Sequence, residues 1–234
     1  MPDAMQRAMK GIAMENNRKA VVDGVCNGRI IAIVRGFPPE TCIRLAEAYL
    51  AGGIRMVEVT FPQSDPAGWA KTAEAIRTIR ERFSGQILAG AGTVLTREQL
   101  KMAVDAGSQY MITPSVNTGM IREAVQAGLV AIPGAFTPTE VVAAYEAGAS
   151  FIKLFPVTAL GPGYVKALRA PLSHIPLLAV GGITPDNVAE YIAAGCVGAG
   201  VSGVLTRKDW IAEGAWDKIA DVARRLVERA RPNA

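Results

Sequence analysis

One lysine interrupts an otherwise apolar run, Phe151-Ile152-Lys153-Leu154-Phe155-Pro156. Burial strips water from an ammonium group, so a lysine in such a run needs a reason. Along a strand Phe151, Lys153 and Phe155 share one face, and Ile152 and Leu154 share the other. Two readings stand. The side chain is at a strand end and reaches out to water, or it is a desolvated amine with a lowered pKa, nucleophilic near neutral pH. A second run, Met56-Val57-Glu58-Val59-Thr60, sets a carboxylate and a hydroxyl on one face and two valines on the other. An amine nucleophile beside a carboxylate that shuttles protons is the equipment for imine chemistry on a ketone.

The elements that must position these groups follow a regular beat. Candidate strands lie at 30–34, 56–60, 87–90, 110–113, 130–133, 151–155, 177–180 and 198–201, with helical patterns between them at 40–51, 67–82, 97–106, 118–127, 138–147 and 185–194. Ala-Gly recurs at 51–52, 106–107, 127–128, 147–148 and 194–195, where each helix should stop. Alternating strands and helices imply parallel strands with crossover helices. Eight of them at this spacing predict an α/β fold, a closed (β/α)8 TIM barrel. Residues 1–25 read as an extra amphipathic N-terminal helix packing on the barrel. Residues 26–234 read as the barrel itself, with no linker or low-complexity segment dividing them.

Such barrels do their chemistry at the C-terminal ends of their strands. Those ends carry Arg35, then Glu58 with Thr60, then Thr93, then Pro114, then Pro133-Gly134, then Lys153. The last two carry Val180-Gly181-Gly182-Ile183 and Gly200-Val201-Ser202-Gly203. Lys153 and Glu58 are the candidate catalytic residues. Arg35, Thr93, Pro114, Val180, Gly181, Gly182, Gly200, Val201 and Ser202 are the candidate substrate-binding residues. Two glycine-rich ends side by side suit a phosphate, because backbone N–H groups exposed at glycine turns bind dianions. Thr184 reads as the N-cap of the next helix, with Pro185 at its first position. The combination points to Schiff-base chemistry on a phosphorylated keto compound. Arg35, a fixed cation, would hold a carboxylate or phosphate and help depress the pKa of Lys153.

Composition excludes several classes. The net charge is +4, but the basic residues are scattered without interleaved aromatics, which argues against nucleic acid. No apolar run reaches the length of a membrane span, and no signal-peptide core opens the chain. The three cysteines are far apart, which suggests reduced thiols and a cytoplasmic protein. With a single histidine, His174, in a helix-to-strand loop, the sequence predicts no metal centre of the zinc type and no cofactor. Two other readings keep the barrel: a phosphate-binding isomerase or synthase in which Lys153 acts only through its charge, and a non-catalytic scaffold.

The motifs resemble those of the 2-keto-3-deoxy-6-phosphogluconate (KDPG) aldolases and their 6-phosphogalactonate (KDPGal) relatives. They are IVRG at 33–36, EVT at 58–60, GAGTVL at 90–95, IPG at 132–134, TPTE at 137–140, KLFP at 153–156 and GGI at 181–183. The resemblance implies a homotrimeric, metal-independent barrel that releases pyruvate and glyceraldehyde 3-phosphate. It assigns the Schiff base to Lys153, acid–base work to Glu58, the pyruvate carboxylate to Thr93, and the phosphate to Gly182 and the last strand's loop. Some family members also split 4-hydroxy-2-oxoglutarate. Three departures stand out. Pro62 replaces an arginine that many KDPG aldolases carry, Ser202-Gly203 reverses the usual Gly-Ser order, and Val180 matches the galactonate relatives where KDPG enzymes tend to have threonine.

Overall fold

The computed structural model of the protein describes residues 2–231. Nine strand segments run parallel: β1 (Ile30–Val34), β2 (Met56–Thr60), β3 (Leu88–Gly92), β4 (Tyr110–Ile112), β5 (Val130–Ile132), β6 (Gly134–Ala135), β7 (Ile152–Leu154), β8 (Leu177–Val180) and β9 (Gly198–Val201). They hydrogen-bond in the order β5-β4-β3-β2-β1-β9-β8-β7-β6. β5 and β6 are one strand interrupted at Pro133, which has no N–H to give a ladder. The first half pairs with β4 and the second with β7. Bonds from the Ser150 and Lys153 amides to the carbonyls of Ala131 and Pro133, at 3.1 and 2.9 Å, complete the ring. The eight-stranded barrel expected from the sequence is therefore the fold, with its fifth strand broken.

Strand parity divides the core in two. Ile31, Ile33, Met56, Tyr110, Ile112, Ile132, Phe151 and Val180 fill the barrel. Ile30, Ala32, Val34, Val57, Val59, Ile152 and Leu154 face the helices outside. Phe151 and its neighbour Ile152 thus fall in different cores, as the period of two requires. The helices Arg97–Asp105 and Pro138–Glu146 each open on a complete capping box, Thr96 with Gln99 and Thr137 with Glu140. Four of the Ala-Gly stops hold their glycine at φ between +76° and +111°.

The N-terminal helix runs Pro2–Gly28, three residues past its expected end. Its Val21 and Val25 are buried in the inner core with Met56, closing the end of the barrel away from the strand C-termini. Asn17 Nδ2 donates to the carbonyls of Gln109 and Gly128 at 3.0 and 2.9 Å, just before β4 and β5. No helix of the described residues is long and apolar enough to cross a membrane. Cys26 is exposed, and burial pushes the thiols of Cys42 and Cys196 up to about 12.

Candidate active site

The two candidate catalytic side chains occupy opposite walls. Glu58 lies on β2 and Lys153 on β7, four strands apart round the ring in either direction when β5 and β6 count as one. Both point into the barrel, and both are buried, Glu58 to 1 % and Lys153 to 6 % exposure. Two glycines of β3 make this possible. A Cβ on Gly92 would fall 1.7 Å from Glu58 Oε1, and a Cβ on Gly90 would fall 2.0 Å from the Tyr110 ring. Side chains there would fill the space that the carboxyl and the ring occupy. The glycines of GAG therefore build the pocket for the acid rather than a turn.

Electrostatics then tunes the pair. Burial lifts the Glu58 carboxyl above the ordinary glutamate range, opposed by the nearby cations of Lys153 and Arg35. Glu58 Oε2 has no hydrogen-bond partner. Burial lowers Lys153 from the ordinary lysine value; Glu58 opposes the shift and Arg35 adds to it. Lys153 Nζ also lies 4.6 Å from the centroid of the Phe155 ring on the same face of the strand. Burial thus disfavours the charged form of both groups, which moves the amine toward a nucleophile and the carboxylate toward a stronger base.

A cavity of about 340 Å³ opens beside Lys153, lined by Ile33, Arg35, Phe155, Val180 and the two glycine-rich strand ends. Gly181 and Gly182 both take positive φ, +106° and +67°, turning the chain sharply after β8. Among the described residues no acceptor takes the amide N–H groups of Gly182, Ile183, Gly203 and Val204. Four free donors at one rim suit a phosphate dianion. The hydroxyl of Ser202 is already engaged, donating to the Ile33 carbonyl at 3.0 Å. The reversed Ser202-Gly203 order thus leaves the backbone amides, not the serine hydroxyl, as the donors after β9.

The expected helix at Pro185 starts instead at Val188. Asn187 closes a turn first. Its Oδ1 accepts from the Thr184 amide at 2.9 Å and its Nδ2 donates to the Gly182 carbonyl at 3.0 Å. Thr184 Oγ1 accepts from the Asp186 amide in the same turn. Asn187, unremarked in the sequence, is therefore what holds the Gly181-Gly182 bend.

Of the candidate binding residues, Arg35, Val180, Gly181, Gly182, Gly200 and Ser202 line the cavity with Lys153. Thr93 joins them through Arg35 Nη2, which donates to its Oγ1 at 3.4 Å. The side chain of Val201 goes to the outer core, so only its backbone faces the mouth. Pro114 lies apart from that lining; its backbone abuts Gly134, where a Cβ would fall 2.4 Å from Pro114 C. The inward parity of Gly200 on β9 already implied the outward turn of Val201. His174 is exposed on the loop before β8, edge-on to Tyr145. Among the described residues no three His, Cys, Asp or Glu side chains gather as metal ligands.

A parallel barrel with a buried amine and an acid at its C-terminal mouth is equipped for the imine chemistry of a lyase. The family model for KDPG and KHG aldolase matches residues 21–222. The 2-dehydro-3-deoxy-6-phosphogalactonate aldolase of Escherichia coli K12 is 41% identical over 179 residues, 76% of this chain and 84% of that one. The KHG/KDPG aldolase of the same strain is 31% identical over 221 residues, 93% of this chain and 100% of that one. A solved structure described as native KDPGal superposes with a TM-score of 0.76 at 38% identity, covering 86% of this chain and 93% of that one. The chain belongs to the KDPG and KHG aldolase family.

Proposed function

We propose that the protein is a Schiff-base aldolase that cleaves a 2-keto-3-deoxy-6-phospho sugar acid, KDPG or its galactonate epimer, to pyruvate and D-glyceraldehyde 3-phosphate. The observation that carries this is Lys153: a buried amine, lowered by desolvation, lining a cavity whose far rim offers four free amides. Lys153 Nζ attacks the C2 carbonyl, and loss of water leaves a protonated imine. Glu58 takes the C4 hydroxyl proton as the C3–C4 bond breaks. The electrons of that bond settle on the imine nitrogen as an enamine, and the aldehyde leaves. Glu58 returns a proton to C3, and water hydrolyses the imine to free pyruvate. Burial raises the pKa of Glu58, which strengthens the carboxylate as the base that takes the hydroxyl proton.

Arg35 and Thr93, joined at the mouth, are the cation and hydroxyl suited to the keto-acid carboxylate. The amides of Gly182, Ile183, Gly203 and Val204 take the phosphate. Val180 and the similarity to phosphogalactonate aldolases support cleavage of both epimers, the galactonate form at least as well as the gluconate form. The same imine chemistry extends to 4-hydroxy-2-oxoglutarate, without use of the phosphate rim. A homotrimer in the cytoplasm fits the family likeness; Leu95, 41 % exposed beside a small apolar cleft, suits a subunit contact. A light-scattering mass three times that of one chain checks it.

The test of the chemistry is reduction with borohydride in the presence of pyruvate. A mass increment on the peptide holding Lys153 is the expected result. An isomerase or synthase that uses Lys153 only as a charge would leave the protein unmodified, and that outcome would reject covalent catalysis.

A further inference from the structure

Two glutamines join the loop after β2 to the loop after β3. Gln63 Nε2 donates to the carbonyls of Phe61 and Thr93 at 3.0 and 2.7 Å. Gln63 Oε1 accepts from Gln99 Nε2 at 3.2 Å. Gln99 Oε1 in turn accepts from the amides of Leu95 and Thr96 at 2.7 and 3.2 Å. Only one orientation of both side-chain amides satisfies this chain. Two carbonyls at one end demand an NH2 group, and two N–H groups at the other demand an oxygen. Gln99 is wholly buried, so its end of the bridge is fixed by packing as well.

What the bridge holds is unusual. Thr93 sits at φ +55°, a left-handed conformation that a β-branched residue seldom adopts without outside support. Its carbonyl accepts from Gln63, and its hydroxyl accepts from Arg35. The segment is thus gripped on both sides, by its backbone from the glutamines and by its side chain from the mouth.

We infer that Gln63 and Gln99 are positioning residues that keep the Thr93 hydroxyl, with Arg35, aimed at the carboxylate of the keto acid. This deepens the aldolase reading and rests on it. Gln63 has no part in the imine or in phosphate binding, so its loss acts on carboxylate affinity and leaves the rest of the site in place.

The experiment measures the pyruvate concentration that half-saturates borohydride labelling of Lys153. Gln63→Leu removes both ends of the bridge. Gln63→Glu keeps the size but turns acceptor oxygens toward the two carbonyls. Both variants are expected to raise the half-saturating pyruvate about three- to tenfold, the effect of one or two lost hydrogen bonds. Competitive inhibition of cleavage by inorganic phosphate should be unchanged, which a general loosening of the barrel would not permit. In a Thr93→Ala background, Gln63→Leu should add nothing further. Wild-type half-saturation in both variants, an equal weakening of phosphate, or full additivity with Thr93→Ala would overturn the inference. A wild-type protein that pyruvate and borohydride do not label at all would sink the aldolase reading, and this one with it.

Discussion

The two ends of the barrel use the same strands for opposite purposes. At the closed end, Val21 and Val25 of the N-terminal helix pack into the inner core, and Asn17 satisfies the carbonyls just before β4 and β5. A cavity of about 220 Å³ remains under that helix, but its charged members, Glu15 and Arg18, are exposed to water. At the open end, Glu58 Oε2 and Thr60 Oγ1 are buried without partners, Lys153 is desolvated, and Thr93 holds a left-handed backbone. An unpaired buried polar group costs about 1–3 kcal/mol, so the open end is where stability is lost. One end keeps the barrel shut; the other keeps reactive groups away from bulk water.

The contrast can be broken most completely at Lys153. Lys153→Ala should abolish cleavage and borohydride labelling while circular dichroism reports an intact fold. Next comes the acid. Glu58→Gln should lower turnover by roughly 10²–10⁴. Gly92→Ala should fall in the same range without touching a reactive group, because its methyl would occupy the place of Glu58 Oε1. Exchange of pyruvate methyl protons with solvent reads both; wild-type exchange in either variant would remove Glu58 from the shuttle.

The acid also leaves a mark on stability. Burial lifts the folded-state value of Glu58 above its unfolded value of about 4.3, so its contribution is most favourable below that pH and is lost as pH rises through the folded value. In a Lys153→Met background, Glu58→Gln should therefore gain in thermal midpoint relative to its parent as pH goes from about 4 to about 8. A constant gap would show that the carboxyl titrates normally.

Asn17→Ala tests the closed end. Leaving the Gly128 carbonyl without a donor, and the Gln109 carbonyl with the Val130 amide alone, should cost about 1–2 kcal/mol, a drop of about 2–8 °C in Tm, with kcat unchanged. A fall in kcat would mean the two ends are coupled. The smallest effect is at Val180, which lines the cavity. Val180→Thr adds one hydroxyl and should shift kcat/KM toward the gluconate epimer by roughly two- to twelvefold. A strict gluconate preference in the wild type, unchanged in the variant, would assign Val180 to packing alone.

Much of this was legible because barrels obey simple periods. Alternation put Glu58 and Lys153 on inward faces, and glycine stops marked the helix ends. Less legible was whatever depends on contacts between loops. Nothing in the local pattern says that Gln63 reaches Gln99 across 36 positions or that Asn187 delays the helix after Gly182. One partial signal existed, since Thr96-x-x-Gln99 is a capping-box pattern that draws a glutamine onto the backbone. The sequence pattern predicts an unbroken fifth strand at 130–133; Pro133, which cannot feed a ladder, splits it, and ring closure decides which neighbour each half joins.

That broken strand has a consequence for assembly. The β6–β7 ladder, with two registered pairs, holds the seam of the ring, and Gly134 pairs there with Lys153. Glu58 comes from the far wall, on β2 between β1 and β3. An unclosed sheet would leave the amine in water with an ordinary affinity for protons. Imine formation should therefore report completed closure, and pyruvate-dependent labelling during refolding would follow the fraction of finished barrels.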